Sequence, residues 1–125
     1  MDIYLSGSYE RRQELLSVAK RLQAKGHNVT SQWLAGNEDM SPAVQALMDL
    51  NDIDDARVFV AFTEPPGTSS RGGRHVEFGY ALAHKRYIYI VGPRESTFYE
   101  IPVVQVDTVD QLLKCLDRLA QQSHL

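Results

Sequence analysis

At 125 residues, with 43% hydrophobic and 23% charged positions, the chain can bury roughly two thirds of the surface its unfolded form exposes, and it reads as one globular domain over residues 1–125. No apolar run approaches the roughly 20 residues of a membrane span, and MDIYLSGS has neither a basic start nor a long apolar stretch, so no secretory signal is expected. The formal charge of −3 gives no general attraction for a nucleic-acid polymer, and the single cysteine, Cys115, excludes an internal disulfide and fits a reducing cytoplasm.

Ile3 to Ser6 is short and apolar and predicts a strand. Gly7-Ser8 turns it into a helix with Leu15, Ala19 and Leu22 on one face, Ser8 as N-cap and Gly26 as C-cap. A second strand is expected from Asn28 to Gln32, then a loop from Trp33 to Asp39. Ser41-Pro42 opens a helix that runs to about Asp55 and carries Asp49, Asp52, Asp54 and Asp55. Val58 to Phe62 and Tyr87 to Val91 are almost continuously apolar, as parallel strands covered on both faces are. A last strand is expected at Val103 to Val106. Thr108 and Gln111 form a capping-box pattern before a helix whose apolar face is Val109, Leu112, Leu113, Leu116 and Leu119; fraying is expected after Ala120. Five strands alternating with helices predict a three-layer α/β/α fold with a mostly parallel sheet, flavodoxin- or Rossmann-like.

The segment between the two apolar strands, FTEPPGTSSRGGRHVEFGYALAHK, organises the rest. Pro65, Pro66 and Gly67 end the strand, and Ser69, Ser70, Arg71, Gly72, Gly73 and Arg74 form a loop whose amides, hydroxyls and guanidinium groups suit an anion. Glu77 then falls about one turn into a helix, where the dipole favours negative charge; it is expected to be ionised at neutral pH. Gly79 inside that helix predicts a close approach of backbone or ligand. The loops after strands one, three and four open at one edge of such a sheet, so Tyr4 to Ser8, Thr63 to Glu77 and Gly92 to Ser96 can converge with Asp49.

Several chemistries fall away. His75-x-Glu77 opens a zinc deaminase signature, but the cysteine pair it requires is missing, and His27, His84 and His124 are not at metal-ligand spacing. GSYERR lacks the glycines of a dinucleotide fingerprint and the P-loop lysine. Cys115 shares a helical face with Leu112 and Leu119 and is expected to be a buried, inert thiol. The carboxylates Glu77 and Asp49 remain, and paired acids serve glycosidic bond cleavage.

Three segments taken together, Ile3-Tyr4-Leu5-Ser6-Gly7-Ser8, Asp49-Leu50 with Ile53, Ala56 and the strand Val58 to Ala61, and Val76-Glu77-Phe78-Gly79-Tyr80-Ala81-Leu82-Ala83, resemble the nucleoside 2-deoxyribosyltransferase superfamily, which includes 2′-deoxynucleoside 5′-monophosphate N-hydrolases. The resemblance implies Glu77 as nucleophile, Asp49 as proton donor to the base with Asp52 as fallback, and Tyr4 as the residue orienting the nucleophile. It implies no metal or organic cofactor, and a homodimer or larger homo-oligomer that completes each pocket from a neighbour, with Ser96 to Tyr99 as the contributing segment. Where the family usually has a short Gly-x-Gly approach, this chain has the longer, basic Ser69 to Arg74. With Gly7 and Ser8, that loop suits a nucleotide 5′-phosphate, unless Arg71 and Arg74 pair with surface acids. The expected activity is N-glycosidic cleavage of (2′-deoxy)nucleoside 5′-monophosphates. The alternatives are base exchange on free deoxynucleosides and a non-catalytic nucleotide-binding module.

Overall fold

The computed structural model describes residues 1–122. Five strands, β1 (Asp2–Ser6), β2 (Asn28–Val29), β3 (Val58–Phe62), β4 (Tyr87–Val91) and β5 (Val104–Val106), alternate with four helices, α1 (Arg12–Ala24), α2 (Pro42–Asp54), α3 (Gly73–Ala83) and α4 (Val109–Gln122). Every strand pairing is parallel, in the order β2-β1-β3-β4-β5. This is the flavodoxin-like order, whose chain reversal falls between β1 and β3. The register sets Ile3 beside Val58, and Val58 beside Tyr87.

The hydrophobic pattern explains the order. β3 is buried at every position and takes the centre, whereas β2 and β5 are short edge strands. An aromatic file crosses the core from Tyr4 to Phe59 at 5.6 Å, on to Phe78 at 6.4 Å and to Tyr99 at 4.2 Å between ring centroids. Such pairs contribute about 0.5–1.5 kcal/mol each beyond area burial, and this file locks α3 over β1 and β3.

The strand expected to reach Gln32 stops at Val29. Side chains replace it along the edge of β1: Ser31 Oγ accepts from the Leu5 amide at 2.6 Å, and Trp33 Nε1 donates to the Leu5 carbonyl at 2.9 Å. With that edge satisfied, residues Gln32–Ala35 form a 3₁₀ turn and Trp33 is buried, not looped into solvent. Ser8 makes no side-chain cap, because a 3₁₀ turn at Tyr9–Arg11 precedes α1. Ser41 does cap α2, its Oγ accepting from the Val44 amide at 3.3 Å, with Pro42 opening the helix.

The capping box is present: the Gln111 amide donates to Thr108 Oγ1 at 3.1 Å, and the Thr108 amide to Gln111 Oε1 at 3.2 Å. α4 continues past Ala120 to Gln122; residues 123–125, His124 among them, lie outside the described residues, and with them most of the segment where fraying is expected. Cys115 is half-buried at the margin of the core, less enclosed than expected. Gly79 has open space around it, since a Cβ added there would meet nothing within 4 Å, so no other part of the described chain makes the close approach predicted there. Among the described residues, no helix is long and apolar enough to cross a membrane and no cluster of three His, Cys, Asp or Glu could hold a metal.

Candidate active site

A cleft of about 1120 Å³ opens at the carboxyl edge of the sheet, over the β1/β3 reversal. Gly7 and Ser8 reach it from β1, Asp49 from α2, Ser69, Ser70 and Arg71 from the loop after β3, and Gly73, Arg74 and Glu77 from α3. Gly7 suits its tight turn, because a Cβ there would come within 2.6 Å of Leu15 Cδ1. Gly72 lies just behind the lining. It starts α3 with φ of 93°, in the left-handed region that disfavours side chains, and this turns the loop back over the cleft.

Glu77 stands just past the first turn of α3, which itself carries no acidic residue. Ser6 Oγ, at the end of β1, donates to Glu77 Oε1 at 2.8 Å. Burial pushes the Glu77 carboxyl up to about 7, against the opposing pull of Ser6, and the nearby Asp49 charge adds to the rise. The expectation of full ionisation at neutral pH is therefore corrected. Desolvation at the cleft floor outweighs the helix dipole, so near neutrality the group is divided between its two forms.

Asp49 is also raised, to about 6, by burial and then by the charge of Asp52 one turn along α2. Its Oδ1 and the Tyr4 hydroxyl are both buried with no partner at hydrogen-bonding geometry, though both side chains lie close enough to Glu77 to bear on its charge. Tyr4 lies beneath the cleft, fully buried, and burial followed by the charges of Glu77 and Asp49 raises its pKa well above the ordinary value. It stays protonated, a donor facing a carboxylate. Asp52 is committed elsewhere: its Oδ2 accepts from the Gln32 amide at 2.9 Å and its Oδ1 from Gln32 Nε2 at 2.8 Å. That fixes the 3₁₀ turn behind the cleft and leaves Asp49 as the acid that faces it.

At the opposite end, Ser70 Oγ accepts from the Gly72 amide at 3.0 Å and holds the loop's bend. Arg71 is exposed, lines the cleft and has no ion-pair partner among the described residues. Arg74 differs: its two terminal nitrogens fork onto Glu95 at 2.6 and 2.9 Å, a nearly buried pair. The acid that claims it is an interior one, not a surface one.

Several cleft residues carry no sequence signal. Ser6 belongs to a strand pattern. Trp33, Asn37 and Gln45 line the cleft from a stretch expected to be loop and from the start of α2, where Gln45 Nε2 braces the carbonyls of Asn37 and Met40 at 2.8 and 2.9 Å. Arg11 bridges to Glu64 at 2.8 Å and to the Thr63 carbonyl at 3.1 Å, so it stiffens the β3 exit.

Tyr99 is not available to a neighbouring subunit. It is 2% exposed, stacked on Phe78, and its hydroxyl lies 3.0 Å from His75 Nδ1. Its ring completes the core of its own chain. Ser96 is exposed and, with Phe98 at 75% exposure, borders a separate apolar hollow beside α3.

No protein-family model matches the chain, and no curated protein matches it. Among solved structures it is similar to a CMP N-glycosidase from Clostridium botulinum, at 21% identity over 94% of this chain and 98% of that one, with a TM-score of 0.65. It is also similar to a 2-deoxyribosyltransferase from the psychrotolerant bacterium Bacillus psychrosaccharolyticus, at 18% identity over 90% of each chain and a TM-score of 0.67. A conserved protein from Enterococcus faecalis V583 matches at 15% identity, over 91% of this chain and 95% of that one, with a TM-score of 0.67. Over nearly its whole length, then, the chain has the fold that this N-glycosidase and this deoxyribosyltransferase share.

Proposed function

We propose that the protein cleaves the N-glycosidic bond of (2′-deoxy)nucleoside 5′-monophosphates through a glutamate nucleophile, releasing the free base. One observation carries this most: a half-buried carboxylate, Glu77, is held by Ser6 at a cleft floor beside two buried polar atoms with no partner at hydrogen-bonding geometry, Tyr4 Oη and Asp49 Oδ1. Unpaired buried polar atoms are costly, and a reacting substrate is what such atoms serve. The solved structures described as a CMP N-glycosidase and a 2-deoxyribosyltransferase support the same chemistry.

The ionised Glu77 attacks the anomeric carbon while the bond to the base breaks through an oxocarbenium-like transition state. A protonated Asp49 gives its proton to the departing base and is left as a carboxylate. That carboxylate then takes a proton from water, which attacks the anomeric carbon, frees the sugar phosphate and restores Glu77.

The reaction needs the pair's one proton on Asp49. The free protein, with Asp49 at about 6 and Glu77 at about 7, keeps it on Glu77, so substrate binding must move it. A base acceptor beside Asp49 favours its protonated form, while Ser6 and Tyr4 favour ionised Glu77. Both reactive groups are carboxylates, so the steps require no metal or organic cofactor.

The 5′-phosphate falls to Arg71, with Ser8, Ser69, Ser70 and the amide of Gly73 around it. A homo-oligomer belongs to the same proposal, with Ser96 and Phe98 exposed to a neighbouring copy.

Steady-state kinetics on Arg71→Ala test the phosphate assignment. Loss of a charge-assisted hydrogen bond costs about 1.5–3 kcal/mol, so KM for the monophosphate is expected to rise about ten- to hundredfold while that for the free nucleoside stays put. Equal effects on both substrates refute a phosphate contact.

A further inference from the structure

Glu95 does not line the cleft and takes no part in the bond cleavage, yet it is one of the few polar side chains in the interior, at 5% exposure. Its carboxylate receives three hydrogen bonds. Arg74 Nη1 donates to Oε1 at 2.6 Å, Arg74 Nη2 to Oε2 at 2.9 Å, and the Glu64 amide to Oε1 at 3.0 Å. Glu64 is where the chain leaves the β3 exit, and Arg74 stands in the first turn of α3. Both ends of the segment 65–73 are thus tied to one carboxylate supplied from the loop after β4.

That anchor is itself braced. Arg94, its neighbour, donates to the carbonyls of Tyr99, Ile101 and Val103 at 2.6, 2.7 and 2.8 Å. Thr63 Oγ1 donates to the Pro93 carbonyl at 2.6 Å, joining the β3 and β4 exits a second time. Burial alone would raise the Glu95 carboxyl, but the Arg74 fork and the Glu64 amide hold it below the ordinary value. A pair this enclosed is costly to break, since either partner alone is left as an uncompensated buried charge.

We propose that Glu95, acting through Arg74 and the Glu64 amide, is a positioning residue that holds Ser69, Ser70 and Arg71 in the shape that receives the 5′-phosphate, an assignment that rests on the monophosphate substrate proposed for the cleft. Arg74 is then a tether and not a phosphate ligand. Without the tie, the loop must be ordered at each binding event, and the cost falls on binding of the phosphate-bearing substrate. Glu77 is held separately, by Ser6 of β1, so the chemical step is spared.

Glu95→Gln keeps the shape and an acceptor but removes the charge; Glu95→Ala removes all three bonds. For Glu95→Gln, KM for a monophosphate is expected to rise about tenfold, kcat to stay within about threefold, and KM for the free nucleoside to hold. Native-state trypsin cleavage after Arg71, at the exposed loop, is expected to speed up about tenfold. Arg74→Lys keeps a charge but loses the fork, and it gives the same pattern more weakly, so it carries the test if the Glu95 variants do not fold cooperatively.

Unchanged tryptic cleavage overturns the positioning role whatever the substrate, as does an equal rise in KM for both substrates. Faster cleavage in the variants of a wild-type protein that releases no base upholds the tether and overturns the monophosphate substrate instead.

Discussion

Replacing Glu77 by glutamine is expected to abolish base release and, at the same time, to make the protein more stable above neutral pH. The loss has a chemical cause: an amide cannot form the glycosyl-enzyme, and removal of a nucleophile lowers turnover by at least about a thousandfold. The gain comes from linkage. The folded carboxyl is raised from 4.5 to about 7 by burial, so the folded state holds this proton more tightly than the unfolded state does. Stability therefore falls as pH rises from the unfolded value through the folded one, and stays lowered above it. The full shift corresponds to about 3 kcal/mol. Glutamine carries no charge to bury and can still accept from Ser6 Oγ.

Denaturant unfolding of the variant and the wild type should thus agree at about pH 4 and differ by up to about 3 kcal/mol at about pH 8. A variant that keeps wild-type turnover removes Glu77 from the mechanism. One that is inactive but no more stable at high pH is incompatible with a buried, proton-holding carboxylate at this position.

The second large effect concerns Asp49. Two coupled acids with values of about 6 and about 7 give a bell-shaped kcat/KM. Below the lower value both are protonated and no nucleophile exists; above the upper value both are ionised and no donor exists. Asp49→Asn removes the donor, so turnover is expected to fall about 10²–10⁴-fold and the alkaline limb to vanish. An acid limb remains, set by ionisation of Glu77 beside an uncharged neighbour, as in the wild type, where Asp49 is protonated across that limb. A substrate whose base leaves without protonation should be spared most of the loss. A uniform loss across leaving groups with an unchanged bell would mean that Asp49 only shapes the cleft.

Much of the fold is legible in the sequence because the central strands are buried on both faces. Val58 to Phe62 and, after the exposed Tyr87, Ile88 to Val91 are as apolar in sequence as they are enclosed in the sheet, and pattern and structure agree on the bounds of both strands. β2 is shorter than its pattern because its end is decided across the chain, by Ser31 and Trp33 binding Leu5, which no local periodicity encodes.

The site divides in the same way. Glu77 and the Ser/Gly/Arg loop stand out by residue type and position, whereas Asp49 is singled out among the aspartates of α2 only by the family resemblance, and the fold brings them to one cleft. The protonation of Glu77 departs from expectation because helix position is local, whereas desolvation depends on the segments that close over it. Arg74 offers the same fork to a phosphate or to a carboxylate. Its partner Glu95 sits 21 residues on, in a different loop, and only the tertiary structure pairs them. Tyr99, expected to face a neighbour, fills the space beside Phe78 with its ring.

The measurement closest to the central claim is chromatography of the free base released from deoxynucleosides, deoxynucleoside 5′-monophosphates and their ribo counterparts, with and without an acceptor base, and with Glu77→Ala as control. The predicted result is base from the monophosphates without any acceptor, and none from the variant. Product that forms only when an acceptor base is added would make the protein a transferase. No release from any substrate would contradict the proposed cleavage and leave a nucleotide-binding module in its place.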